Sequence, residues 1–203
     1  AENAWRIGDN CDIKWTPKGN LSDVPTVGTG KVTIQYSPDN GSHWYTVNNN
    51  VTAGNHDSQQ TFSSWAIPEQ VNISSVNYDT MGSDNLIKVT HNTDSAVTAT
   101  SPQFYIKGAL DLTSPNGNET WYQGKSADIT WTQSGSGYNL NIKYSKNSGA
   151  DGYTGTVVAG IDRTGVPPAS LKYTWASIPP EAVTTSKTAR IKIESDHAQE
   201  SMK

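Results

Sequence analysis

Hydrophobic and polar side chains alternate along this chain with a period of two. In KVTIQYS, residues 31–37, Val32, Ile34 and Tyr36 point one way and Thr33 and Gln35 the other. In NLNIKYS, residues 139–145, Leu140, Ile142 and Tyr144 repeat the pattern. Ala127, Ile129 and Trp131 alternate with Asp128 and Thr130, and Ala189, Ile191 and Ile193 alternate with Arg190 and Lys192. A strand sends successive side chains to opposite faces, so each segment predicts a strand with one buried and one wet face. No segment longer than about ten residues carries a helical stripe. Clusters of turn formers separate the strands: PDNG at 38–41, SPNGN at 114–118 and KNSGADG at 146–152.

The same pattern occurs twice. WRIGDNCDIKW at 5–15 matches WYQGKSADITW at 121–131, with Trp5, Gly8, Ile13 and Trp15 falling on Trp121, Gly124, Ile129 and Trp131. KVTIQYSPDNG then matches NLNIKYSKNSG, SSWAIPEQV matches YTWASIPPEAV, and LIKVTHNTD matches RIKIESDHA. Self-similarity at a period of about 110 residues predicts two copies of one domain. The reading is all-β: two tandem Ig-like or fibronectin-like antiparallel β-sandwiches of about seven short strands each, residues 1–108 and 109–203. Each copy can bury a core of its own. With Phe and Met scarce, that core rests on β-branched residues and on the seven Trp and nine Tyr. Trp5 and Trp15 bracket a hairpin-like block, and a short linker near 108–118 holds a strand-like LDLTS, residues 110–114.

The ends are out of phase with the repeat. Copy one closes with SAVTATSPQFYIKG, whereas copy two stops at IKIESDHAQESMK with its last strand missing. Copy one in turn lacks the LDLTSPNG that opens copy two. Either the chain is a fragment of a longer array, or the missing strand comes from a neighbouring molecule added to an open sheet edge.

Formal charge is −4, with Lys and Arg scattered. Nucleic acid and anionic membranes both need clustered basic charge, so neither is an expected partner. No apolar stretch approaches the roughly 20 residues of a membrane span, and no signal peptide opens the chain, as expected of a mature or excised fragment. A single cysteine rules out an internal disulfide. Cys11 is in phase with Ile13 and Trp15 and reads as a small core residue. Abundant Ser, Thr, Asn and Gly with few charges suit an extracellular or cell-surface protein. Sequons at Asn20, Asn40, Asn50, Asn72 and Asn118 are candidate N-glycosylation sites in such a protein.

The string LTSPNGNETWYQGKSADITWTQSG, residues 112–135, resembles the bacterial and fungal cell-surface Ig-like domain called Knh-like, or Ser-Thr-rich GPI-anchored-type. That family opens with a segment like P-N-G-G-E-x-W, then a Gly and I-x-W, a V-x-I-x-Y-S strand and a later W-x-I-P. Copy one lacks the opening P-N-G, and Asn118 stands where the second Gly is usual. The resemblance implies an extracellular sandwich in surface or wall-associated proteins, and it brings no catalytic residues with it.

Candidate chemistry is sparse. SPDNGSHW at 37–44 fits S-x-D-x-G-x-x-W, the Asp-box of sialidase-like propellers. Physically it is a hairpin turn whose Asp caps backbone N–H groups and whose Gly takes a left-handed conformation. Copy two keeps Ser145 and Gly149 of it, and a propeller needs a longer chain. Arg6, Arg163 and Arg190 belong to different copies, with Arg190 expected in solvent, so the turn is preferred to a sialidase site. His43, His56, His91 and His197 show no metal-ligand spacing, and His91 is expected at a sheet end. Asp94 with Asp111 or Glu119 offers oxygen ligands for a Ca2+ stiffening the inter-domain joint, in no known loop spacing; no other cofactor is expected. Trp44 and Tyr153 are the candidate glycan contacts: His43, Trp44 and Tyr45 fall just after a turn, and Tyr138 and Tyr153 in loops. No catalytic residue is assigned and no enzyme is expected.

The sequence therefore reads as a non-catalytic structural or interaction module of an extracellular surface protein: a spacer, an adhesin stalk, or a lattice or filament repeat assembling by strand addition. Its partners would be neighbouring copies or other surface proteins, and glycans. The alternative is a carbohydrate-binding accessory domain of a secreted hydrolase.

Overall fold

A computed structural model describes residues 5–18, 30–117, 119–135, 139–162 and 170–195. The described residues are all-β, with a single 3-10 turn at Pro180–Ala182 and no α-helix. The chain divides into two compact units, Ala1–Lys107 and Gly108–Lys203.

The first unit contains β1 (Trp5–Arg6), β2 (Asn10–Trp15), β3 (Lys31–Ser37), β4 (Tyr45–Thr52), β5 (Gln60–Ala66), β6 (Gln70–Ile73), β7 (Val76–Asp79), β8 (Gly82–His91), β9 (Thr98–Thr100) and β10 (Phe104–Lys107). Its main sheet runs β1-β10-β8-β3-β4, while β2 pairs with β5 and β6 with β7. The strands β9 and β10 occupy one lane along β8, broken at Ser101. There Ser101 N donates to the Ile87 carbonyl, and Ser101 Oγ accepts from Ile87 N. The pair β1–β10 is parallel, Trp5 beside Ile106, which departs from the wholly antiparallel expectation. Nor do Trp5 and Trp15 bracket a hairpin. The chain turns at Gly8, φ +87°, and β2 joins β5 instead. Alternation delivers Ile34 and Tyr36 of β3, Ile87 of β8 and Ile106 of β10 into one core with Ile13 and Trp65 of β2 and β5. Trp5 packs edge-on to both Trp65 and Phe104.

The second unit contains β11 (Ala109–Ser114), β12 (Ala127–Ser134), β13 (Asn139–Ser145), β14 (Gly155–Asp162), β15 (Ser170–Trp175) and β16 (Arg190–Ser195). Its sheets run β11-β12-β15 and β14-β13-β16. Its core holds Ile129 and Trp131 of β12, Leu140 and Ile142 of β13, and Trp175 and Ile178. The LDLTS segment is no linker: it is β11, paired with β12, and Gly108 alone lies between β10 and β11.

The duplication extends to hydrogen-bond register. In the first unit Val32 faces Val51, Ile34 faces Asn48, Gln35 faces Thr46 and Tyr36 faces Tyr45, with two slips. In the second Leu140 faces Ile161, Ile142 faces Val158, Lys143 faces Thr156 and Tyr144 faces Gly155, with the same two slips. Tyr36 faces Ile87 on β8, and Tyr144 faces Ile191 on β16. A one-residue slip would send the buried set to solvent, so core alternation fixes this register in both copies.

The units differ at their edges. Where β8 carries β9 and β10, β16 pairs with β13 alone among the described residues. Where β12 carries β11, β2 pairs with β5 alone among the described residues. Among the described residues Ile106 has no counterpart in the second core, and Tyr144 and Ile191 are half-buried where Tyr36 and Ile87 are buried.

Candidate functional site

The turn between β3 and β4 holds the sequence's strongest local motif. Buried Ser37 Oγ accepts from Gly41 N at 2.8 Å and donates to Asp39 Oδ1 at 2.9 Å. Asp39 Oδ1 accepts from His43 N at 2.9 Å, and Asp39 Oδ2 meets His43 Nδ1 at 2.6 Å. Asn40 and Gly41 take positive φ, 54° and 88°. The second unit builds the same turn. Ser145 Oγ accepts from Gly149 N at 2.8 Å and donates to Asn147 Oδ1 at 2.9 Å, and Asn147 Oδ1 accepts from Asp151 N at 3.0 Å. Asn147 thus does the capping work of Asp39, a correspondence hidden by matching the motif letter for letter. An amide oxygen accepts backbone N–H bonds as a carboxylate does.

The two candidate glycan contacts occupy equivalent places beside these turns. The half-buried Trp44 ring lies against Gly41, where a Cβ would stand 3.5 Å from Cζ2, and Lys88 Nζ sits 3.9 Å from the ring centroid. Tyr153 lies against Gly149, where a Cβ would come within 2.8 Å of the ring, and Lys192 Nζ is 5.7 Å from its centroid. Positive φ favours glycine at both turns, and at Gly149 the close ring contact adds to it. Each aromatic is clamped between turn and lysine, so a sugar stacking on Trp44 has to displace a cation–π contact. Sequence reading missed both lysines; the signal was the repeated Ile87-Lys88 and Ile191-Lys192. It also missed Tyr122, the most exposed large aromatic of the described residues at 67 %.

The remaining candidates are held separately. His43 also stacks on Tyr78, with ring centroids 5.0 Å apart. His56 and Lys18 both pair with Asp57, at 3.1 and 2.5 Å. His91 is buried at the end of β8 beside Thr93, Nδ1 to Oγ1 3.2 Å. Arg6 is exposed on β1, and Arg190 is exposed and donates to the Lys187 and Ala189 carbonyls. Arg163, His197, Tyr138, Asn20 and Asn118 lie outside the described residues. Of the sequons, Asn40 and Asn50 are exposed, and Asn72 commits its Nδ2 to Asn77 Oδ1 at 2.7 Å. Cys11 is half-buried; burial, then Asp9 and Asp12, push its thiol up, away from the reactive thiolate.

The calcium candidates are engaged in their own loops. Glu119 Oε1 and Oε2 accept from Asn116 N and Gly117 N at 2.8 and 2.9 Å, and those bonds, the Asn116 one foremost, hold its carboxyl below the usual range. Asp94 Oδ1 accepts from Ala96 N at 3.0 Å, and Asp111 is exposed on β11. No three His, Cys, Asp or Glu among the described residues converge as a metal site.

Partial burial raises the Asp39 carboxyl, but hydrogen bonds from His43 and Ser37 outweigh it and leave it lowered. A carboxylate depressed in the folded state contributes stability above its unfolded pKa, and loses it as pH falls through the folded value. Asp39→Ala, which removes the cap, is expected to cost about 1–2 kcal/mol. Asp39→Asn, which keeps the cap as Asn147 does, is expected to cost under about 1 kcal/mol. Denaturation midpoints at pH 7 check the order. The wild-type margin over Asp39→Asn should shrink below about pH 4.

No family model matches the chain, and no curated protein matches it. Among solved structures the chain is similar to the fibronectin(III)-like modules of Clostridium thermocellum CbhA, at 17 % identity over 98 % of this chain and 84 % of that one, with a TM-score of 0.28. An overlap that slight carries no argument about this chain.

Proposed function

We propose that this chain is a non-catalytic structural and interaction module, built as two Ig-like or fibronectin-like sandwiches of the Knh-like kind, from an extracellular surface protein. Its second unit receives an added strand along β16. One observation carries this reading: two copies with one register differ in that β8 pairs with β9 and β10 on its side away from β3, while β16 pairs with no strand but β13 among the described residues. Strand addition gives affinity through main-chain hydrogen bonds and specificity through alternate side chains. The β9–β10 lane shows what fits, because its Ile106 is fully buried and its Phe104 packs on Trp5. An incoming strand with an aliphatic residue at that place would cover Tyr144, Trp175 and Ile191. A module joined edge to edge acts as a spacer or a lattice repeat.

The test adds a synthetic peptide with the sequence of residues 98–107, TATSPQFYIK, to the whole chain. Amide shifts confined to Arg190–Glu194 and β13, with protection of those amides from exchange, are expected. A peptide that leaves β16 unperturbed at about 1 mM overturns the reading. Weakened binding by an Ile→Asp variant of the peptide separates strand addition from loose adhesion.

A further inference from the structure

The two units share register, turns and core, yet one face of the main sheet has diverged. In the first unit, the outward side chains of β3, β4 and β8 and the loop after β8 border a shallow, wide-open depression of about 470 Å3. Thr33, Gln35, Asn49, Thr90, Asn92 and Ser95 line it over buried His91. Every lining group but the imidazole is an uncharged hydroxyl or carboxamide. Two lysines share that face outside the lining: Lys88, opposite Gln35, is turned onto Trp44, and Lys31 Nζ donates to Thr52 Oγ1 at 3.2 Å. In the second unit the same register positions carry Asn141, Lys143, Ala159 and Glu194 in place of Thr33, Gln35, Asn49 and Thr90. There Lys143 and Glu194 close as an ion pair at 2.5 Å.

The cavity is organised from within. Asn92 Oδ1 accepts from Thr33 Oγ1 at 2.8 Å, and Asn92 Nδ2 donates to the Asn49 carbonyl at 2.8 Å, which fixes the Asn92 amide. Thr90 Oγ1 is held by Thr98 Oγ1 at 2.9 Å. The side chains of Gln35, Asn49 and Ser95 make no hydrogen bond among the described residues. A carboxamide presents two donors beside an acceptor, and a hydroxyl is both. Three such groups left over around a fixed fourth match a ligand whose every substituent is likewise both donor and acceptor.

We infer that this face of the first unit is a binding site for a neutral oligosaccharide, one or two sugar rings at a time. An ionic ligand finds no countercharge in the lining. An extended peptide finds no apolar pocket for alternate side chains, which is the specificity such binding uses. The site is separate from the Trp44 and Tyr153 rings and from the β16 edge, so it stands or falls independently of strand addition. With no ring to stack on, affinity rests on hydrogen bonds alone and lies near the millimolar range, on the order of 1 mM.

The test titrates the whole chain with cellotetraose, xylotetraose, mannotetraose, chitotetraose and maltotetraose while following backbone and side-chain amides by NMR. At least one sugar is expected to shift Thr33, Gln35, Asn49 and Asn92 together, and to leave β13, β14 and β16 unmoved. The decisive variant is Gln35→Lys with Asn49→Ala and Thr90→Glu, which imports the ion pair the second unit already accommodates. It should fold with an unchanged melting temperature and bind at least about fivefold more weakly. The inference is overturned if no sugar of the panel moves these residues, if the shifts map to Trp44, Tyr122 or Tyr153 instead, if the triple variant binds as well as wild type, or if uncharged peptides shift the same amides as strongly as any sugar.

Discussion

Trp131→Ala is expected to destabilise residues 108–203 by about 3–5 kcal/mol, the range for deleting a buried large ring, because the cavity left behind adds to the lost transfer energy. Trp131 is 1 % exposed and lies between Leu112 on β11 and Leu171 on β15, so its removal strips the middle of a three-stranded sheet of its filling. Hydrogen exchange gives the sharpest reading. Amides of β12, β13 and β15 should lose protection, and those of β3 and β8 should keep theirs, since the two cores have no residue in common. Equal loss in β3 and β8 would show that the division after Lys107 does not mark separate cooperative units.

Asn85→Ala is expected to cost roughly 2–3 kcal/mol, because it strands buried polar groups. Asn85 is 1 % exposed: its Oδ1 accepts from Tyr36 Oη at 2.5 Å, and its Nδ2 donates to the Gly82 and Phe104 carbonyls at 2.6 and 3.3 Å. Burial foremost, then Asp79 and Asp39, push the Tyr36 hydroxyl well above the ordinary phenol range, which favours the protonated, donating form. Alanine leaves that hydroxyl with only the Thr80 carbonyl, at 3.4 Å. The second unit has Ala189 at this position and tolerates it, since Tyr144 is half-buried. Denaturant unfolding measures the loss. Tyr36→Phe combined with Asn85→Ala should cost less than the sum of the two, because each removes the other's partner.

The strands were legible because their period is strong. Val32, Ile34 and Tyr36, and Leu140, Ile142 and Tyr144, announce a buried face before any pairing is known, and the Trp spacing announces the duplication. Pairing partners were not legible. Trp5 and Trp15 look like two arms of one hairpin, yet the positive φ at Gly8 sends them to different sheets, and alternation says nothing about which neighbour a strand takes. LDLTS read as a strand-like stretch within a linker because it falls between two copies; that it pairs with β12 was not legible. Among site residues, the Ser37 turn was visible as a motif, whereas of its twin only Ser145 and Gly149 were, because Asn147 replaces Asp39 by chemistry and not by letter. The lysines over Trp44 and Tyr153 come from a strand distant in sequence. The polar cavity needs side chains from β3, β4 and β8 at once, and neutral Thr, Asn and Gln residues raise no flag singly.

The paired slips between β3 and β4, and between β13 and β14, have a directional consequence. Bulged strands bend and twist, which spoils their outer rim as a template for further pairing. Each unit thus has one rim unfit to take on a newcomer, and the second has a straight opposite rim along Arg190–Glu194. On the strand-addition proposal, uptake is therefore directed to β16 and away from β14, and a block filled there has no second edge of that sheet to offer.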